Sequence, residues 1–151
     1  TTVQMKARRR HATAPMVFLI DVDRASGYVD YPEALQQYRP SYSHDPHVLT
    51  LSSFLIHAPF SQRLLPKALQ VIQHCRRMGE VVILSDGDVV CQPHKIEQSG
   101  LAKAVENHVL IYVPKERELR HIHRCYPVDH YVLIDDNDRV LKAVKKAWGD
   151  V

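Results

Sequence analysis

With 151 residues, 45% of them hydrophobic and 25% charged, the chain is long enough to bury one real core and has no apolar run near the length that spans a bilayer. Its net charge is only +3 and much of that excess is Arg8, Arg9 and Arg10, so the basic face that nucleic-acid binding requires is missing. Cys75, Cys91 and Cys125 lie far apart and make no CxxC pair, which argues against a disulfide framework or a thiolate zinc site and fits a reducing cytoplasm.

Residues 1 to 15, TTVQMKARRRHATAP, are basic but lack the apolar stretch of a secretory signal, and are expected to be a tail ahead of the first strand. Met16 to Ile20 is the first continuous apolar run, and it ends in Asp21 and Asp23. The stretch 24 to 65 breaks the rhythm that follows. Tyr31 to Arg39 and Asp45 to Ile56 look helical, with RPSYSHDP between them and no strand, so the region reads as an insertion or cap. Its Tyr28, Tyr31, Tyr38 and Tyr42 either line a pocket or pack on a neighbouring helix.

Leu65, Leu69 and Ile72 fall on one helical face before Gly79 and the second run, Val81 to Leu84, which ends in Ser85 and Asp86. QPHKIEQSG then has Pro93 near a helix start and Gly100 where a helix stops, and Lys95 within it is expected to reach solvent. The third run, Val109 to Val113, is followed by Pro114 and Lys115. His121 and His123 are two apart on the next helix and so point to different faces, which makes a shared metal improbable and places them at the surface. The fourth run, Tyr131 to Ile134, ends in Asp135 and Asp136, and Val140, Leu141, Val144 and Trp148 share a face of the last helix. Continuous apolar runs are the mark of parallel strands covered on both faces, and their alternation with helices gives an α/β fold.

Ligands of an open parallel sheet bind outside the carboxyl ends of its strands. Here those ends bear two carboxylate pairs, a hydroxyl and an ammonium. Taken singly, Ser85, Asp135 and Asp136 read as helix N-caps. Lys115 does not, because the start of a helix disfavours a cation, and an anionic partner would remove the conflict. Asp21 and Asp23 lie on the same side of an extended chain, where two like charges call for a bound cation. Together the four strand ends favour a functional site over four unrelated caps.

FLIDVD, VVILSDGD, the lysine of IYVPKERELR, and YVLIDD resemble, in that order, the four motifs of the haloacid dehalogenase-like (HAD) hydrolase superfamily, over nearly the whole chain from Met16 onward. The resemblance implies a Rossmann-like core across 16 to 151, with 24 to 65 as a shortened cap. It also implies a magnesium-dependent phosphatase that takes a small phosphorylated substrate through an aspartyl-phosphate intermediate. By the same resemblance Asp21 is the nucleophile, Asp23 the general acid and base, Ser85 the phosphate-binding hydroxyl and Lys115 the positioning lysine. Asp21, Asp23, Asp135 and Asp136 surround the metal, and Ser85, Asp86 and Lys115 meet the substrate. The chain departs from the family pattern at Ala25, where Thr or Val is usual, and at Asp86, where Asn is common and whose backbone amide can still serve.

The residue chemistry agrees with these roles. A carboxylate attacks phosphorus only when the phosphoryl charge is neutralised, which calls for Mg2+ and a cation such as Lys115. An alkoxide leaving group needs a proton, and a second carboxyl beside the nucleophile can supply it and later activate water. A dehalogenase of the same family does not need that acid, because halide leaves as a stable anion, so Asp23 favours the phosphatase. A non-catalytic binding domain is the third reading, suggested by the altered stretch after Asp23 and opposed by the intact Asp21, Asp23, Lys115 and Asp135.

Overall fold

The computed structural model describes residues 2–6, 16–22, 47, 50, 53, 57, 60–87 and 91–149. Within them five strands form one sheet: β1 (Thr2–Lys6), β2 (Val17–Ile20), β3 (Glu80–Asp86), β4 (Val109–Tyr112) and β5 (His130–Ile134), in the order β1-β5-β2-β3-β4. The last four run parallel, as their continuous apolar character requires, and the α/β Rossmann-like core is thereby present. Thr2–Lys6 departs from expectation: instead of belonging to a tail, it pairs antiparallel with the outer edge of β5. Its alternation of Val3 and Met5 with polar neighbours is the period-2 signal of an edge strand, which the arginine run just beyond it obscures.

Both faces of the sheet are buried because successive strand residues point to opposite sides. Val17, Leu19, Val82, Leu84, Tyr131 and Leu133 pack beneath α4 (Leu119–Cys125) and α5 (Asp138–Trp148), whose Ile122, Val140, Leu141 and Val144 complete that half of the core. Phe18, Ile20, Val81, Ile83 and Val132 face the other way, toward α1 (Ala68–Arg76), α2 (Cys91–Gln98) and α3 (Leu101–Ala104). Each fully buried aliphatic side chain contributes about 1.5–3 kcal/mol. Gly79 lets β2 and β3 start together, since a Cβ there would fall 2.2 Å from the Met16 carbonyl oxygen, to which Glu80 N–H bonds at 3.0 Å. Asn137 caps α5 by accepting from Arg139 N and Val140 N.

Three local expectations are corrected. Ile72 and Cys75 are the buried residues of α1, whereas Leu65 and Leu69 are exposed, because the helix begins only at Ala68, after Pro66 and a left-handed Lys67. Lys95 does not reach solvent: it is 5% exposed beside Ile96, on a helix that packs against both α3 and the 3₁₀ turn Phe60–Arg63. His121 and His123 are half-buried, drawn inward by tyrosines, with Nδ1 of His121 2.6 Å from the Tyr112 hydroxyl and Nδ1 of His123 2.8 Å from that of Tyr131. They do diverge as their spacing requires. Most of the candidate cap, with its tyrosines at 28, 31, 38 and 42, lies outside the described residues; of 24 to 65, the described residues are 47, 50, 53, 57 and 60–65. No described helix is long and apolar enough to cross a membrane.

Tyr131 carries the clearest pH dependence of the fold. It is fully buried, stacks on Trp148 with centroids 4.4 Å apart, and donates its hydroxyl to the Tyr126 carbonyl. Burial pushes its phenol from 10.0 up to about 12. The folded state therefore keeps it neutral where the unfolded chain ionises, and the stability it contributes is whole below pH 10 and is lost as pH rises to about 12. The fall of the thermal midpoint across that window should be shallower in Tyr131→Phe than in the parent, and equal slopes would remove Tyr131 as a cause.

Candidate active site

Strand register brings the charged groups together. Ile20 is level with Ile134 on one side and with Ile83 on the other, so Asp21 and Asp135 emerge side by side, and Ser85 follows two residues beyond Ile83. A hydrogen bond from Asp21 N to the Ile134 carbonyl, 2.9 Å, extends the ladder to the rim. On the far side of β3, Asp86 is level with Tyr112, three residues before Lys115. Lys115 opens the 3₁₀ turn Lys115–Arg117, and its side chain reaches back across the strand ends toward β2 and β5.

The Lys115 ammonium is the hub. Nζ lies 2.5 Å from Asp21 Oδ1, 2.7 Å from Asp135 Oδ2, 3.9 Å from Asp86 Oδ2 and 3.5 Å from the Leu84 carbonyl oxygen. Lys115 is 2% exposed, Asp21 5% and Asp135 1%. Burial by itself would push the ammonium down. The charge of Asp21, hydrogen bonds to Asp135 and Asp21, and the charge of Asp135 outweigh it, and the net shift is upward. These carboxylates are the anionic partners that a lysine at a helix start calls for.

The surrounding groups hold this hub in place. Asp135 Oδ1 accepts from Asn137 N at 2.8 Å, so the residue that caps α5 also begins the turn that orients Asp135. Asp86, expected to meet substrate, directs its carboxylate to Lys115: Oδ1 accepts from Lys115 N at 2.6 Å. Burial pushes the Asp86 carboxyl up, the Lys115 amide and ammonium hold it back, and the charges of Glu116 and Asp135 add to the rise. Ser85 is fully buried, and its hydroxyl donates to the Asp86 carbonyl at 3.3 Å, a long bond that a charged acceptor would outcompete. Glu116 pairs with Arg139 and ties the Lys115 turn to α5.

Of the expected site residues, Asp21, Ser85, Asp86, Lys115, Asp135 and Asp136 converge at one rim, and Asp23 lies outside the described residues. The anchoring roles of Asp86 and Asn137 were missed in the sequence. Asn137 sat in plain view as an N-cap, whereas the Asp86 to Lys115 bond links residues 29 apart and has no local signal. Asp21, Asp135 and Asp136 each offer a carboxylate oxygen within 4.8 Å of the others, with Asp136 exposed. Among the described residues, hard oxygen donors in excess over one ammonium suit a hard divalent cation, so this set fits such a metal.

No family model and no curated protein matches the chain. Solved structures do. One, from Burkholderia xenovorans LB400 and assigned as a haloacid dehalogenase-like hydrolase, is 41% identical with a TM-score of 0.79, over 89% of this chain and 80% of that one. Another, a haloacid dehalogenase-like family hydrolase from Xanthomonas campestris, shares the fold at 13% identity with a TM-score of 0.56, over 76% of this chain and 70% of its own.

The Asp86 geometry yields a stability test. Asp86→Ala strips the Lys115 amide of its acceptor and should cost about 1–2 kcal/mol in urea unfolding, while Asp86→Asn, which keeps an acceptor oxygen, should lose less than half of that. Equal losses would mean that the carboxylate, and not this hydrogen bond, is what matters.

Proposed function

The chain belongs to the haloacid dehalogenase-like hydrolase family, and within it we propose a magnesium-dependent phosphomonoester phosphatase that acts on a small phosphorylated metabolite. The observation that carries this reading is the buried Lys115 ammonium between Asp21 and Asp135, with Asp136 close enough to complete an oxygen ligand set. Phosphoryl chemistry needs both features, because it is dominated by neutralising charge around phosphorus.

In the proposed reaction the Asp21 carboxylate attacks phosphorus in line with the departing alcohol oxygen. The P–O bond to the alcohol breaks as the bond to Asp21 forms, and Asp23 gives the alkoxide its proton. Asp23 then takes a proton from water, which attacks the aspartyl phosphate and frees Asp21. Lys115 holds Asp21 in place and offsets the charge of the phosphoryl oxygens, and Ser85 turns its hydroxyl to one of them. Asp21, Asp23, Asp135 and Asp136 would hold Mg2+, and the ion would supply further neutralisation of the phosphoryl charge.

The dehalogenase alternative uses the same nucleophile but gives no work to Asp23 or to the acidic set. A non-catalytic binding domain leaves the buried charged hub without a use. Hydrolysis of an aryl phosphate by the purified chain should be abolished by a chelator and restored by Mg2+. Activity that survives chelation would refute the metal set, and release of halide from a 2-haloacid without phosphatase turnover would replace the reading with the dehalogenase.

Lys115 and Lys95 are both buried, yet the ammonium within 4 Å of Asp21, Asp86 and Asp135 is that of Lys115. Lys115→Ala should lower kcat by about a hundredfold or more, the size of losing a charge-stabilising group. Lys95→Ala should lower the melting temperature, because it removes a side chain buried on α2, and should leave kcat of the folded fraction within about threefold. A larger kcat loss in Lys95→Ala than in Lys115→Ala would reassign the phosphate lysine.

A further inference from the structure

On the sheet face beneath α4 lies a second chain of hydrogen-bonding groups. Cys125, the last residue of α4, is exposed, and its Sγ lies 3.5 Å from Nε2 of His121 one turn earlier. Nδ1 of the same imidazole lies 2.6 Å from the Tyr112 hydroxyl at the end of β4, and the two rings meet edge to face, 5.7 Å between centroids and 81° between planes. The imidazole is thus fixed at both nitrogens, one toward a thiol and the other toward a phenol from a different element.

We propose that Cys125 is a covalent modification site for small disulfides, with His121 as its base and Tyr112 as the residue that positions the base. A thiol reacts as its thiolate, so a nearby proton acceptor determines which cysteine of a protein is reactive. The Tyr112 phenol is pushed up to about 12, by burial first and then by the negative charges of Cys125, Glu118 and Tyr126, and stays neutral near pH 7. In the tautomer the proposal requires, the phenol oxygen accepts from Nδ1–H, and Nε2 is then unprotonated and faces Sγ. Cys125 gives its proton to Nε2 and attacks one sulfur of the disulfide. The Cys125–sulfur bond forms, the original S–S bond breaks, and the departing sulfur leaves as a thiolate that takes the proton from Nε2. Cys125 ends as a mixed disulfide, and one half of the reagent is reduced to a thiol.

The other two cysteines are less accessible. Cys75 is buried in the opposite half of the core, where burial pushes its thiol up. Cys91 is half-buried at the start of α2. Exposure alone would also favour Cys125, so the imidazole must be tested separately from access.

The folded chain would be treated with 4,4′-dithiodipyridine, itself a small disulfide, and the rate at each cysteine followed by peptide mass spectrometry. Cys125 should react first, and His121→Gln should slow it about tenfold while the rate at Cys91 stays the same. Tyr112→Phe keeps the ring contact and removes the oxygen, and should slow Cys125 about threefold. A Cys125 rate unchanged within about twofold in His121→Gln, or no faster than Cys91 in the parent, overturns the proposal. Should His121→Gln fail to fold, Tyr112→Phe decides by the same comparison, with an unchanged rate again overturning it.

Discussion

Everything at the rim depends on one ammonium that two buried carboxylates share. Lys115 Nζ is 2.5 Å from Asp21 and 2.7 Å from Asp135, and none of the three side chains has more than a trace of solvent contact. Buried ions are costly to desolvate, and removing one partner of a buried pair typically costs about 3–5 kcal/mol, because the other charge is left uncompensated. Such an arrangement is a poor way to gain stability, since apolar side chains of similar volume would serve as well or better. Its retention in a chain that otherwise buries Val, Leu and Ile at strand positions makes sense for chemistry rather than for folding.

That constraint reaches into the sheet. Asp21 and Asp135 meet only because β2 and β5 are neighbours in parallel register, with Ile20 level with Ile134. A slip of one residue would turn one carboxylate to the opposite face and away from Lys115. The glycine at 79, the continuous apolar runs and the two covered faces all serve to hold that register. Lys115 itself arrives from β4, two strands away from β2, and is aimed by the Asp86 carboxylate on its backbone amide and by the Glu116 to Arg139 pair on its turn.

Legibility in the sequence followed the range of each interaction. The four parallel strands were readable because burial on both faces leaves an unbroken apolar run, and Trp148 was readable as core because helical spacing placed it beside Val144. The convergence of Asp21, Ser85, Lys115 and Asp135 was readable because a parallel sheet sends every strand end to one rim. Burial of Lys95 was not, since it comes from the contact of α2 with a turn some thirty residues earlier, and a helix pattern records only its own faces. β1 escaped for a similar reason: five residues of alternation next to an arginine run carry little signal. The inward pull on His121 and His123 is a matter of individual hydroxyls, Tyr112 and Tyr131, which periodicity cannot see.

The charges of the rim also argue for what the proposed phosphatase must bind besides its substrate. Among the described residues, Asp21, Asp86, Asp135 and Asp136 stand there against the Lys115 ammonium, four carboxyl groups to one cation. A phosphate ester approaching as a dianion would meet repulsion that Lys115 offsets only in part, because its ammonium also lies against Asp21 and Asp135. Asp86 is already engaged by the Lys115 amide, and burial pushes its carboxyl up. The remaining excess sits on Asp21, Asp135 and Asp136, the same three whose oxygens approach within 4.8 Å, so the charge deficit and the ligand geometry fall at one place. On the proposed reading that coincidence makes a divalent cation a condition for admitting the phosphate and not only an aid to its transfer.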